Sequence, residues 1–228
     1  MATLIAGVRA CVFDAYGTLL DVSSAAAACA HPLLAGRAAA LSTLWREKQL
    51  QYTWLRALQS RHADFEQVTA EALDFAMETV GIPDLELHAR LMDLYFRLQV
   101  YPEVPAVLAR LKAAGMRIAI LSNGSPGMLH AAVEGAGIGE LLDFVLSVEE
   151  VGVYKPHPKV YQLAVDRLAL APSAICFQSA NAWDAHAAAA FGMRVVWCNR
   201  QGARAERLPG RPDAEIRSLA ELPELVCA

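Results

Sequence analysis

No apolar stretch among the 228 residues approaches the roughly 20 residues that a bilayer-spanning helix needs, so no membrane span is expected. Positive charge is not in excess either. Twenty Lys and Arg stand against 24 Asp and Glu, a net charge of -4. A nucleic-acid partner is therefore not expected, because neutralising phosphates takes a basic face. Charged residues amount to only 19% against 55% hydrophobic, which argues against disorder and leaves ample material for a core. The opening stretch, Met1 to Phe13, lacks the basic start and the later cleavage site of a secretion signal: Arg9 lies within it, Asp14 ends it, and Asp21 precedes the alanine run at 25–28. The cysteines, Cys11, Cys29, Cys176, Cys198 and Cys227, are odd in number and no pair has metal-ligand or Cys-x-x-Cys spacing. They read as small buried hydrophobes in a reducing cytoplasm. Repeats and low-complexity linkers are also missing, and the alanine density of 25–40 is compatible with plain helix.

What the chain does have is a series of short apolar runs, each ending in polar residues. Ala10 to Phe13 ends at Asp14, and Arg117 to Leu121 ends at Ser122-Asn123-Gly124. Phe144 to Leu146 ends at Ser147, Ala174 to Phe177 at Gln178-Ser179, and Val195 to Cys198 at Asn199-Arg200. Near-continuous apolar strands suit a parallel sheet covered on both faces. Helical stretches such as Val104 to Ala114 and Tyr161 to Leu168 separate them. The expected fold is α/β, a doubly wound parallel sheet of Rossmann-like type. In such sheets ligands bind beyond the carboxyl ends of the strands, so the polar residues just named should converge. The segment 22–99 breaks the alternation with three helical patterns, Leu41 to Ser60, Phe65 to Val80 and Leu87 to Leu98, with a helix stop at Gly81-Ile82-Pro83-Asp84. It is read as a helical cap domain inserted into a core formed by 1–21 and 100–228.

Five motifs carry candidate chemistry. Phe13-Asp14-Ala15-Tyr16-Gly17-Thr18 places an aspartate at the end of a buried strand, where a turn cap is the plainer role. Trp45-Arg46-Glu47-Lys48-Gln49-Leu50 puts Arg46 and Leu50 on one helix face, a cation beside apolar surface; a solvated charge is the ordinary alternative. Leu121-Ser122-Asn123-Gly124-Ser125-Pro126 sets a hydroxyl and an amide at a strand end. Ser125-Pro126 is an N-cap with proline at the first helical position, a terminus that favours an anion. Capping alone accounts for Ser125 and leaves Ser122 and Asn123 over. Lys155 precedes Pro156 and is followed by Tyr161; beside an aspartate such a lysine would lower its pKa. Ser179-Ala180-Asn181-Ala182-Trp183-Asp184 offers one carboxylate, with a capping box between Asn181 and Asp184 as the structural alternative.

Together, in this order and over essentially the whole chain, these motifs and the tail Cys198-Asn199-Arg200-Gln201-Gly202 resemble the L-2-haloacid dehalogenases of the haloacid dehalogenase superfamily. Most of that superfamily are phosphatases with Asp-x-Asp-x-Thr in the first motif. Tyr16 replaces the second aspartate, the acid that protonates a phosphatase leaving group, and a halide needs no proton. The resemblance implies an (S)-2-haloacid hydrolase acting through an aspartyl ester, with Asp14 as nucleophile. Thr18, Arg46, Ser122, Lys155, Tyr161, Ser179, Asn181 and Asp184 are the other implied catalytic residues. Ala15, Tyr16, Leu50, Phe65, Ser122, Asn123 and Trp183 would contact substrate, with Arg46 and Asn123 receiving the halide. No metal and no cofactor is implied. The expected partner is a small 2-haloacid and its halide product, and the expected assembly a cytoplasmic homodimer. Ala15, Gln178, Ala180 and His186 depart from the family's usual residues and bear on rate and pocket size. A magnesium-dependent phosphatase of the same superfamily and a non-catalytic binding protein on this fold remain the alternatives.

Overall fold

Side chains that are apolar on both faces form strands here because helices cover both sides of the sheet. The computed structural model describes residues 5–22 and 29–227. Its strands are β1 (Ala10–Phe13), β2 (Arg117–Ser122), β3 (Phe144–Ser147), β4 (Ile175–Ser179), β5 (Arg194–Cys198) and β6 (Ala214–Ile216). The first five match expected runs. The sixth was not expected: three residues, of which only Ile216 is buried, carry too little pattern to be seen.

All strand pairs are parallel and the order is β3-β2-β1-β4-β5-β6. The chain winds outward from β1 to β3, then returns to the other side of β1 for β4. The crevice between the carboxyl ends of β1 and β4 is thus the switch point where ligands bind in such sheets. Phe13 is level with Ile120 on one side and Gln178 on the other. Asp14, Ser122 and Ser179 consequently emerge at one edge.

The helices are α1 (Ala38–Gln59), α2 (Phe65–Thr79), α3 (Leu85–Phe96), α4 (Val104–Ala113), α5 (Pro126–Ala136), α6 (Pro158–Leu168), α7 (Ala182–Phe191) and the short α8 (Pro223–Val226). The first three follow β1 without an intervening strand, as the pattern predicts. On α1 the buried residues Leu41, Trp45, Gln49 and Thr53 recur every four positions and so form one stripe. The stripe meets the buried face of α2, which includes Phe65, Val68, Thr69, Ala72 and Leu73. Asp64 caps α2 by accepting the Gln67 N–H, and Asp84 caps α3 by accepting the Leu87 N–H at 2.7 Å. The stop at 81–84 therefore also starts the next helix. One expectation fails. Plain helix over 25–40 is not found between Cys29 and Arg37, where Pro32–Leu34 forms a single 3₁₀ turn and α1 begins only at Ala38. Pro32 offers no N–H to continue a helix. Residues 23–28 lie outside the described residues.

Cys11, Cys176 and Cys198 are buried on β1, β4 and β5 and unpaired. Burial pushes the Cys176 thiol up to about 12 and the Cys198 thiol to about 11, so neither ionises near neutrality.

The loop before β6 is pinned to α7 at Gly210, whose φ is +81°; an added Cβ would lie 2.2 Å from the His186 carbonyl oxygen and 2.5 Å from the Ala190 nitrogen. Gly210→Ala is predicted to lower the unfolding free energy by about 2 kcal/mol or more. Urea denaturation compared with the parent protein checks this.

Candidate active site

At the end of β1 the Asp14 carboxylate is 6% exposed and both its oxygens are held. Oδ2 accepts from Asn181 Nδ2 at 2.8 Å, Thr18 Oγ1 at 3.1 Å and Ser179 Oγ at 3.4 Å. Oδ1 accepts from Lys155 Nζ at 3.1 Å. The same ammonium reaches Asp184 Oδ2 at 2.8 Å, and Tyr161 donates its hydroxyl to Asp184 Oδ1 at 2.7 Å. Lys155 is 1% exposed and Asp184 fully buried. Two buried carboxylates therefore share one ammonium. Burial pushes the Asp184 carboxyl above its usual range, Asp14 adds to the rise, and Lys155 and Tyr161 offset only part of it. For Lys155 burial acts downward, but the two carboxylates outweigh it and hold the ammonium above its ordinary value. Phe177 adds its ring face 4.9 Å from the ammonium.

A second cation arrives from α1. Arg46 donates from Nη2 to Asn181 Oδ1 at 3.3 Å and to the Tyr16 carbonyl at 3.5 Å, and from Nη1 to Gln49 Oε1 at 2.7 Å. Gln49 is itself buried, donating to Thr69 Oγ1 at 2.7 Å and to the Tyr95 hydroxyl at 3.1 Å. The guanidinium is thus held by a polar network inside the helical segment. Asn181 links the Asp14 carboxylate to the second cation: its NH₂ donates to Asp14 and its carbonyl oxygen accepts from Arg46. It makes no side-chain capping bond to α7, so the capping-box alternative for Asn181 and Asp184 does not hold. Ser125 does cap α5, by accepting the Met128 N–H.

Asp14, Tyr16, Arg46, Leu50, Phe65, Ser122, Asn123, Lys155, Asn181 and Trp183 enclose one small cavity. The room left in it for water is only about 10 Å³, about one molecule's worth. Asn123 accepts the Lys155 backbone N–H on its carbonyl oxygen at 3.1 Å, and Ser122 Oγ accepts the Gly124 N–H at 3.1 Å. The Tyr16 ring lies directly on Gly124, where a Cβ would be 2.8 Å from Tyr16 Cε2, and packs 5.5 Å from both the Phe65 and Tyr95 rings.

Comparison with known proteins identifies the family. The model of the haloacid dehalogenase-like hydrolases matches residues 8–192. The chain belongs to that family. It is 49% identical over 220 residues to (S)-2-haloacid dehalogenase 1 of Pseudomonas sp. strain CBS-3, covering 96% of each chain. A crystal structure of a dehalogenase with an intermediate complex superposes with a TM-score of 0.94 at 45% identity, over 97% of this chain and 98% of that one. The L-2-haloacid dehalogenase of Xanthobacter autotrophicus with chloropropionic acid covalently bound gives 0.88 at 38% identity, over 96% and 98%.

Within this haloacid dehalogenase-like frame the expected site residues separate into layers. Ten of them line the cavity or reach it as named above. Thr18, Ser179, Tyr161 and Asp184 stand behind, holding Asp14 and Lys155. Ala15 faces elsewhere: its methyl lines a separate void with Leu19, Leu20, Ile120 and Leu129. The other departures from the family pattern also avoid the cavity lining. Gln178 donates to the Cys176 carbonyl, His186 bonds the Gly210 carbonyl, and Ala180 donates its N–H to Thr18 Oγ1. Sequence reasoning missed Gln49, Thr69 and Tyr95. Gln49 is three residues from Arg46 on the buried stripe, a signal that was available; Tyr95 meets Gln49 across 46 positions and has none.

Lys155→Met would leave Asp14 and Asp184 buried without their ammonium. The expected loss of stability near neutral pH is about 3–5 kcal/mol. Protonation of Asp184 removes part of that unpaired charge, so the deficit shrinks as pH falls through the Asp184 pKa, which is raised. Thermal unfolding of variant and parent across pH 4 to 8 on the usual carboxylate scale checks both parts.

Proposed function

We propose that the protein is an (S)-2-haloacid dehalogenase, hydrolysing the carbon–halogen bond of short 2-haloalkanoic acids with inversion at C2 to give (R)-2-hydroxyacids. The observation that carries this reading is the Asp14 carboxylate, anchored on Oδ2 by Thr18, Ser179 and Asn181, facing a closed cavity that holds a guanidinium beside Leu50, Phe65 and Trp183. The substrate carboxylate docks at Ser122 and the backbone after Asp14. Asp14 attacks C2 through Oδ1, which has Lys155 as its anchor, and halide departs toward Arg46 and Asn123. Water then adds to the Asp14 carbonyl carbon and the ester opens at its acyl bond. Oδ2 becomes the oxyanion in that step, and its three donors are already in place to stabilise it. Asp184, with its raised pKa, takes the water proton by way of the Lys155 cluster. The balance is one haloacid and one water giving hydroxyacid, halide and a proton.

Residues 22–99 act as a cap that carries Arg46, Leu50 and Phe65, while 1–21 and 100–228 supply the strand-end residues. A magnesium-dependent phosphatase is disfavoured because Tyr16 stands in place of the second carboxylate of the first motif, and the single late carboxylate, Asp184, is already bonded to Lys155 and Tyr161. Unpaired buried cysteines suit a cytoplasmic protein. A homodimer is also proposed, seated on the face of α1 and α2 where Leu55 is 45% and Phe75 39% exposed. Among the described residues no helix is long and apolar enough to cross a membrane.

Asp14→Asn is predicted to abolish halide release with the fold retained. In a single turnover in oxygen-18 water with enzyme in excess, the hydroxyacid comes out unlabelled, and the Asp14 peptide gains mass after repeated turnovers. Label in the first-turnover product would instead mean direct attack by water on C2.

Arg46→Ala is predicted to reduce kcat about a hundredfold or more, since the cation meets charge that develops as halide leaves. Gln49→Leu removes the Nη1 partner of the guanidinium, leaves its Nη2 bonds to Asn181 and Tyr16, and gives a smaller loss. Lys48→Ala, whose ammonium reaches Gln51 and the Phe75 ring at the surface and not the cavity, leaves kcat within about twofold. Steady-state halide release on 2-chloropropionate ranks the three.

A further inference from the structure

Beside the closed cavity runs a much larger space used by nothing described so far. It is an apolar cleft of about 750 Å³ between α1 and the α6–α7 side of the sheet, with Trp54, Leu58, Pro156, Pro158, Ala187 and Phe191 among its walls. Trp183 lines both spaces and is the partition between them. Its ring meets Trp54 edge to face, centroids 5.3 Å apart at 82°. The four tryptophans are of two kinds. Trp45 and Trp197 are tied down by indole N–H bonds to the Thr69 and Ala180 carbonyls. The buried indole nitrogens of Trp54 and Trp183 have no hydrogen-bond partner among the described residues. Ring packing alone holds the partition, and turning Trp183 out of the cavity breaks no hydrogen bond.

We propose that the cleft is the subsite for the alkyl chain of larger 2-haloalkanoic acids, opened when Trp183 turns away, with Trp54 setting how readily it turns. This rests on the dehalogenase reading above. With carboxylate and halide held by Ser122, Asn123 and Arg46, the substituent on C2 is left facing the apolar wall of Leu50, Phe65 and Trp183. A cavity with room for about one water cannot hold a longer chain. Past the partition, each methylene finds apolar walls, and burying one favours binding about fourfold. A second copy of the chain is the other candidate occupant. It is less suited, because Trp54 and Ala57 project from the side of α1 opposite Tyr52 and Gln59, which lie on the face assigned to the dimer.

The test measures chloride release from 2-chloropropionate and 2-chlorohexanoate by the parent protein, Trp54→Ala and Ala187→Phe. Trp54→Ala should raise the hexanoate-to-propionate ratio of kcat/KM by about three- to tenfold, the worth of one ring pair. Ala187→Phe, which fills the cleft, should lower the ratio by a similar factor. Both variants should turn over 2-chloropropionate within about twofold of the parent. Unchanged ratios in both variants would overturn the proposal, as would a loss on both substrates together in folded Trp54→Ala. Conversion of a dimer to a monomer by either variant with the ratios unmoved would assign the cleft to a second copy instead. Calorimetric binding of hexanoate against propionate runs independently of turnover. Tighter hexanoate binding that Ala187→Phe removes supports the subsite even if no chloride is released, in which case the dehalogenase reading fails alone. Equal binding of the two acids overturns the subsite.

Discussion

The Lys155 ammonium is the charge on which the rest of the site depends. It is almost fully buried and sits between two carboxylates, 3.1 Å from Asp14 and 2.8 Å from Asp184. Desolvating three ionised groups is costly unless each is paired and bonded. The surroundings meet that demand: Tyr161 serves Asp184, Phe177 serves the ammonium, and Thr18, Ser179 and Asn181 serve Asp14. Arg46 brings the second cation through Asn181, so two carboxylates are matched by two positive charges. Removing any one member changes the charge balance for all of them.

The sheet order explains how these groups meet. Asp14 follows β1, Ser179 ends β4 and Asp184 lies on the first turn of α7, all beside the crevice where the winding reverses. A strand end fixes the Asp14 carboxylate, while Arg46, Leu50 and Phe65 come to it from α1 and α2, which pack on each other. A fixed carboxylate under apolar side chains from a separate pair of helices is an arrangement suited to water exclusion.

Most of the frame could be read from sequence because its signals are local. Buried strands were visible as short apolar runs with polar ends, and α1 to α3 as a break in the alternation. β6 was not, since Ala-Glu-Ile at a sheet edge shows neither run nor alternation. The motif residues that hold Asp14 were found because each lies at a strand end or in a recognisable string. The Gln49–Thr69–Tyr95 network was only partly legible: the spacing of Gln49 on the α1 stripe marks it, but its partners on α2 and α3 are known only once those helices are packed on it. The four departures from the family pattern looked like pocket changes in one dimension. In three dimensions Gln178 and His186 turn to backbone carbonyls, Ala15 lines a separate void, and Ala180 contributes its backbone N–H to Thr18.

The contact between Tyr16 and Gly124 has a consequence for how this chain could change its chemistry. The phenol ring occupies ground that only a residue without a side chain leaves open on the β2 side, and it is wedged between Phe65 and Tyr95 from the helices above. Shrinking Tyr16 to a carboxylate would open a void under those rings and add a third negative charge to a site whose cations are already committed. Enlarging Gly124 would expel the ring. The two positions are therefore interlocked across domains of sequence more than a hundred residues apart, and the route from this reaction to one that protonates its leaving group runs through several simultaneous replacements, not a single exchange.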